Sequence, residues 1–155
     1  KNIRLGISLT ELYRELATYP VKGAYVFLDA CFSGGYKSAA PLLAQKGVRV
    51  VPKVGLPQGK TLSFSSSSGD QTSSVYHDKK QGYYTYFLIK TIKDARGDLS
   101  MKDLFERTSA AVKKATAMIG KMQEPQCMVS PTWFGWESLR LETPVEPAPV
   151  APQGE

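Results

Sequence analysis

Cys31 is the residue whose setting first points to chemistry. It follows Ala24-Tyr25-Val26-Phe27-Leu28, a short run of apolar residues rich in aromatic and branched side chains, and precedes Ser33, Gly34 and Gly35. In open α/β sheets ligands gather at the carboxyl ends of strands, and small residues there let another backbone approach. A thiol so placed is a candidate nucleophile, although a lone Cys beside an apolar strand is equally an ordinary small buried hydrophobe. To react at neutral pH it needs a base that takes its proton. The chain contains one histidine, His77, in the polar run Tyr76-His77-Asp78-Lys79-Lys80, which reads as a surface loop. The second thiol, Cys127, has no neighbouring acid or glycine run and reads as structural.

Other chemistries find less support. Gly55 and Gly59-Lys60-Thr61 imitate a phosphate-binding loop, but the spacing is one residue short and a strand follows where a helix should start. No pair or trio of His, Cys and carboxylates has metal-ligand spacing, and a single histidine excludes any site built from several imidazoles. No apolar run reaches the length of about 18 residues that a spanning helix needs.

The candidate residues need elements to hold them. Ser8 precedes Leu9, Leu12, Tyr13 and Leu16, an i, i+3, i+4, i+7 stripe, with Glu11 placed as in a capping box. The spacing predicts a helix over Leu9–Thr18. Pro20 and Gly23 then punctuate the chain before the 24–28 run, which suits a strand buried on both faces. A helix followed by such a strand is the α/β signature. Residues 38–44 suit a helix closed by Gly47, 48–51 a short strand, and 52–59 a loop with two Pro and two Gly. Thr61 to Ser66 alternates polar and apolar residues as a strand does, and Lys79 to Gly82 is a polar turn. Tyr84, Phe87, Leu88, Thr91 and Ile92 recur at helical spacing, closed by Gly97. Ser100 and Asp103 repeat the capping-box pattern ahead of Met101, Leu104, Phe105, Thr108, Val112, Ala115 and Ile119, one helical face that runs to Gly120. After Pro125, a stretch around Cys127 to Val129 and the Trp133 to Leu141 region offer a last strand.

Length and composition bound the rest. At 155 residues and 42% hydrophobic, the chain is one domain's length with enough apolar residues to bury a core. Two cysteines are too few for a disulfide scaffold, which slightly favours a reducing, cytoplasmic setting. The net charge of +6 is uneven: Lys79 to Lys121 carries ten basic and four acidic residues, while 122–155 carries one basic and five acidic. The basic stretch lies on helical pattern without interleaved aromatics, so it reads as a solvated helix face and not as a nucleic-acid surface. From Thr143 onward four of thirteen residues are Pro, the composition of an extended linker or tail over 142–155.

A resemblance becomes specific at the thiol. Tyr25-Val26-Phe27-Leu28-Asp29-Ala30-Cys31-Phe32-Ser33-Gly34 resembles the nucleophile segment of caspase-like cysteine peptidases, in particular the metacaspases and their bacterial relatives. Ser65-Ser66-Ser67-Ser68-Gly69-Asp70-Gln71-Thr72-Ser73 resembles the family's strand and loop that wall the substrate cleft. Gly82-Tyr83-Tyr84-Thr85-Tyr86-Phe87-Leu88 resembles the following helix, and Glu124-Pro125-Gln126 the Pro-Gln that opens the last strand. These matches come in order over about residues 5–140. The resemblance implies an α/β, caspase-like domain over 1–141, with a mostly parallel sheet flanked by helices.

The resemblance also implies a function: an endopeptidase acting on protein or peptide substrates, with no cofactor. Cys31 would attack the scissile carbonyl while its own backbone N–H helps hold the oxyanion. Asp29 would lie in the pocket for the P1 side chain and favour Arg or Lys, since a desolvated carboxylate seeks a bidentate cation. Asp29 alternatively binds local backbone amides at a strand end. Asp70 would assist that pocket or cap the turn after Gly69, and Ser66 would wall it or simply form a turn.

One element of the family pattern does not match. The family's general base is a His followed by Gly at the end of an earlier strand, and none of the thirty residues before Cys31 is His. The base, the glycine that completes the oxyanion hole and the first strands are therefore expected on a His-bearing segment of the same precursor, outside these residues. The chain alone is expected to be marginally stable and without turnover. Self-cleavage is common among these peptidases and would account for such a piece. Calcium activates some metacaspases; Asp78, Asp94 and Asp98 are too ordinary as oxygen ligands to decide that matter. The alternatives are a non-catalytic caspase-like module that binds partners and a plain α/β interaction domain whose Cys31 is a redox-sensitive thiol.

Overall fold

The computed structural model describes residues 7–30, 55–68, 71 and 73–141. The expected helix at 38–44, the strand at 48–51, the 142–155 tail, Cys31 and Asp70 lie outside the described residues.

Helix α1 spans Leu9–Leu16 and opens with the expected capping box. The Ser8 hydroxyl accepts from Glu11 N–H at 3.1 Å, and Ser8 N–H donates to the Glu11 carboxylate at 3.1 Å. The helix stops two residues short of Thr18. Pro20 disfavours helical backbone at Tyr19, and the Thr18 hydroxyl bonds back to the Glu15 carbonyl at 2.7 Å.

Strands β1 (Ala24–Leu28), β2 (Thr61–Ser65) and β5 (Gln126–Val129) form one sheet in the order β1-β2-β5. Strands β1 and β2 run parallel, with Ala24 opposite Thr61 and Leu28 opposite Ser65. Strands β2 and β5 run antiparallel, with Leu62 opposite Val129 and Ser65 opposite Gln126. The expected sheet was mostly parallel; among the described residues it is mixed.

The polar and apolar alternation of β2 does not mark a solvated face, because all five of its residues are buried. Leu62 and Phe64 point into the main core with Tyr84, Leu99, Met101, Leu104 and Val112. On the opposite face, Ser63 accepts a hydrogen bond from the buried Tyr13 hydroxyl of α1 at 2.8 Å. Both faces are covered, one by a polar and one by an apolar contact layer. Strand β1, expected to be buried on both faces, is only partly so: Phe27 keeps 37% of its surface exposed. Among the described residues β1 pairs along one edge only.

Strands β3 (Val75–Tyr76) and β4 (Gln81–Gly82) make a small hairpin around a 3-10 turn at His77–Lys79. Lys80 takes the left-handed conformation, φ 54°, that closes this turn. Two-residue strands carry too little pattern to be read from sequence, and only the polar turn was legible. Tyr76 stacks on Tyr83 with ring centroids 4.4 Å apart, which fastens the hairpin to helix α2 (Tyr83–Asp94).

Helix α2 ends as expected at Gly97, φ 76°, whose N–H reaches the Ile92 carbonyl at 2.9 Å. Helix α3 spans Met101–Ala117, with the Ser100 hydroxyl accepting from Asp103 N–H at 3.0 Å. Its buried face is Met101, Leu104, Thr108, Ser109, Val112 and Thr116. Ile119 was expected on that face but lies past the helix end, 48% exposed. Gly120, φ 67°, turns the chain there, and Lys121 N–H closes onto the Thr116 carbonyl at 3.0 Å. The Trp133 to Leu141 region supplies a 3-10 turn at Trp136–Ser138 and one bridge between Ser100 and Arg140, while the last strand is the 126–129 segment.

Candidate active site

Because β1 and β2 are parallel, their carboxyl ends lie side by side, and two of the expected site residues, Asp29 and Ser66, follow directly from them. Ser66, just past β2, grips the end of β1 at two points. Its N–H donates to the Leu28 carbonyl at 2.8 Å, and its hydroxyl donates to the Ala30 carbonyl at 3.3 Å. The same hydroxyl contacts the Ser73 hydroxyl. Ser66 is fully buried and ties the two strand ends together.

Asp29 lies between the two gripped residues, with an exposed side chain. Its Oδ2 accepts from Thr85 N–H at 3.2 Å and from the Thr85 hydroxyl at 2.6 Å. Thr85 is the third residue of α2, and the residue at the helix's cap position is Gly82, which has no side-chain oxygen to offer. The strand-end carboxylate supplies what Gly82 lacks and meets the positive end of the helix dipole. Gly82 is also required for space, since a Cβ there would lie 2.9 Å from the Asp29 Cγ and collide with its carboxylate. Thr85 was missed as a site residue. A helix opening on Gly-Tyr-Tyr-Thr with no capping residue of its own was the available signal.

The segment after β2 is held by two glutamines that sequence reasoning also missed. Gln123, 1% exposed, donates from Nε2 to the Ser66 carbonyl at 3.0 Å and accepts at Oε1 from Ser74 N–H at 2.9 Å. Gln71 Oε1 accepts from Glu124 N–H at 2.7 Å. Gln123 and Glu124, which precede β5, therefore reach across to both sides of the Ser66–Ser74 stretch.

The family model described as Caspase domain matches residues 2–132. The chain belongs to the caspase domain family. That match runs through Asp29, Ala30 and Cys31, through Ser66 and Asp70, and through Gln123, and it is a family of cysteine-type peptidases. No curated protein matched the chain. In this caspase domain the described residues agree with an α/β fold of three helices and a mixed sheet.

Burial, then the negative charge of Asp29 and then Cys127, pushes the Tyr84 hydroxyl well above its ordinary range. That hydroxyl is buried with no hydrogen-bond partner among the described residues. Burial, then Glu137, pushes the Cys127 thiol up to about 11, as expected of an unreactive structural cysteine. His77 is exposed in the hairpin turn. Asp94 pairs with Lys90 at 2.6 Å and Asp98 with Arg140, while Asp78 is exposed in the hairpin turn. Among the described residues no group of three or more His, Cys, Asp or Glu could hold a metal ion, and no helix is long and apolar enough to cross a membrane.

Proposed function

We propose that this caspase domain is the nucleophile-bearing part of an endopeptidase that cleaves after Arg or Lys through an acyl-enzyme on Cys31. The observation that carries the reading is the double grip of Ser66 on Leu28 and Ala30. It fixes the backbone that leads directly into Cys31, at the sheet end where α/β proteins bind ligands. In the proposed reaction a His on a segment outside these residues takes the Cys31 proton, and the thiolate adds to the scissile carbonyl. The C–N bond then breaks, the amine leaves with that proton, and water hydrolyses the thioester to free the acid and regenerate the thiol.

Asp29 supports the basic P1 preference. Both Thr85 bonds go to Oδ2, so Oδ1 is the oxygen assigned to the substrate's cation, with Asp70 as its proposed partner. The full-length protein is expected to cleave peptides after Arg and Lys and not after Asp, and Cys31→Ala is expected to abolish cleavage. Cleavage that survives in Cys31→Ala, or that ignores the charge of P1, overturns the proposal.

A further inference from the structure

We propose that Gln123 is a positioning residue for the nucleophile: its side-chain amide fixes Ser66, and Ser66 fixes Ala30, the residue bonded to Cys31. This role presupposes the peptidase function proposed above and extends it to a residue on the approach to β5.

The chain of contacts is continuous, and its first two members are buried. Gln123 is 1% exposed and Ser66 fully buried. The Gln123 amide donates to the Ser66 carbonyl at 3.0 Å while accepting from Ser74 N–H at 2.9 Å. Ser66 in turn holds the Leu28 and Ala30 carbonyls, at 2.8 and 3.3 Å. A buried amide is costly unless both its ends are bonded. Here the donor end and the acceptor end take the two sides of one loop neck, a task that needs an amide. Glu in its place keeps the acceptor but loses the donor toward Ser66, and Met of similar length keeps neither. Freed of its amide, Ser66 loses a side-chain contact that sets its carbonyl, and the hydroxyl that orients Ala30 loses that reference. Small misplacements of a reacting group are amplified in the rate: about 1 Å is worth about a hundredfold.

The test uses the full-length protein, a peptide with Arg at P1, and the variants Gln123→Glu, Ser66→Ala and their double. Each single variant is expected to lower kcat about tenfold or more with KM changed less than about threefold. Because the two residues act in series, the double is expected to lose about as much as the worse single. Tyr13→Phe, which removes a buried hydrogen bond on the other face of the sheet, is the control and is expected to keep wild-type kcat. A kcat within about twofold of wild type in either Gln123→Glu or Ser66→Ala overturns the role, as does an equal loss in Tyr13→Phe. If Gln123→Glu fails to fold, Gln123→Met takes its place in the same comparison, since it removes both amide bonds without adding a charge. A wild-type protein that cleaves nothing overturns the peptidase function and this role together; a cleaving wild type with unaltered variants overturns this role only.

Discussion

Asp29 performs one task in the fold and is proposed for another in the reaction, and the two can be separated by substitution. Its Oδ2 takes both the N–H and the hydroxyl of Thr85 at the first turn of α2. Asp29→Ala removes this external cap, and loss of such a cap costs about 1–2 kcal/mol. Asp29→Asn keeps a side-chain oxygen for the same two donors and loses only the charge at the helix terminus, about 0.3–1 kcal/mol for an exposed group. Urea unfolding followed by far-ultraviolet circular dichroism should therefore rank wild type above Asn and Asn above Ala, with an unchanged m value. Gly82→Ala should also destabilise, because its new Cβ meets the same carboxylate. In an Asp29→Ala background much of that penalty should disappear, since the colliding group is gone, and the cycle of four proteins measures the coupling directly. If Gly82→Ala costs the same in both backgrounds, the close approach of Asp29 to Gly82 is refuted. The reaction is read on the same variants: Asp29→Asn should lose most cleavage after Arg while remaining folded. Wild-type kcat/KM in that variant would leave Asp29 as a cap alone.

Three further outcomes are expected. Tyr84→Phe removes a buried hydroxyl with no partner among the described residues, so thermal unfolding should show a Tm equal to or above wild type; a drop of several degrees would reveal a missed partner. Stability should fall as pH rises from about 9 toward 11, because Cys127 at about 11 holds its proton in the fold while the ordinary thiol, at 9.0, has lost it in the unfolded chain; Tyr84 acts in the same direction. A denaturation midpoint that stays flat from pH 8 to about 11 contradicts this linkage. In the native protein at pH 8, iodoacetamide should leave Cys127 unmodified on peptide mass mapping, and rapid labelling there would show that the thiol is not held neutral by burial.

What the sequence revealed depends on how far apart the partners lie. The start of α1 was legible because Ser8 and Glu11 meet within one turn, and the end of α2 because a glycine, Gly97, suits the left-handed backbone that follows the helix. The last turn of α3 was misplaced because Ile119 continues the apolar spacing although Gly120 has already ended the helix. Residues of the site escaped for a different reason. Asp29 meets Thr85 across 56 residues, and Gln123 meets Ser66 across 57. No periodicity encodes such pairs, and a glutamine beside a proline looks like any loop residue until the sheet brings it to a buried carbonyl. The family segment around Asp29-Ala30-Cys31 was legible as a local motif, whereas the atoms that hold it in place were not.

The complete enclosure of β2 has a consequence for synthesis. Its antiparallel partner, β5, lies about sixty residues downstream. At ribosomal rates of about 5–20 residues per second, Leu62 and Phe64 wait roughly 3–12 s before that neighbour exists. A continuous branched strand left open so long would be an aggregation hazard, and the alternating Thr61, Ser63 and Ser65 break such a run. Replacing Ser63 and Ser65 together by Val should therefore raise the aggregated fraction on rapid dilution from urea, and an unchanged yield of soluble protein would show that these serines serve only the Tyr13 face.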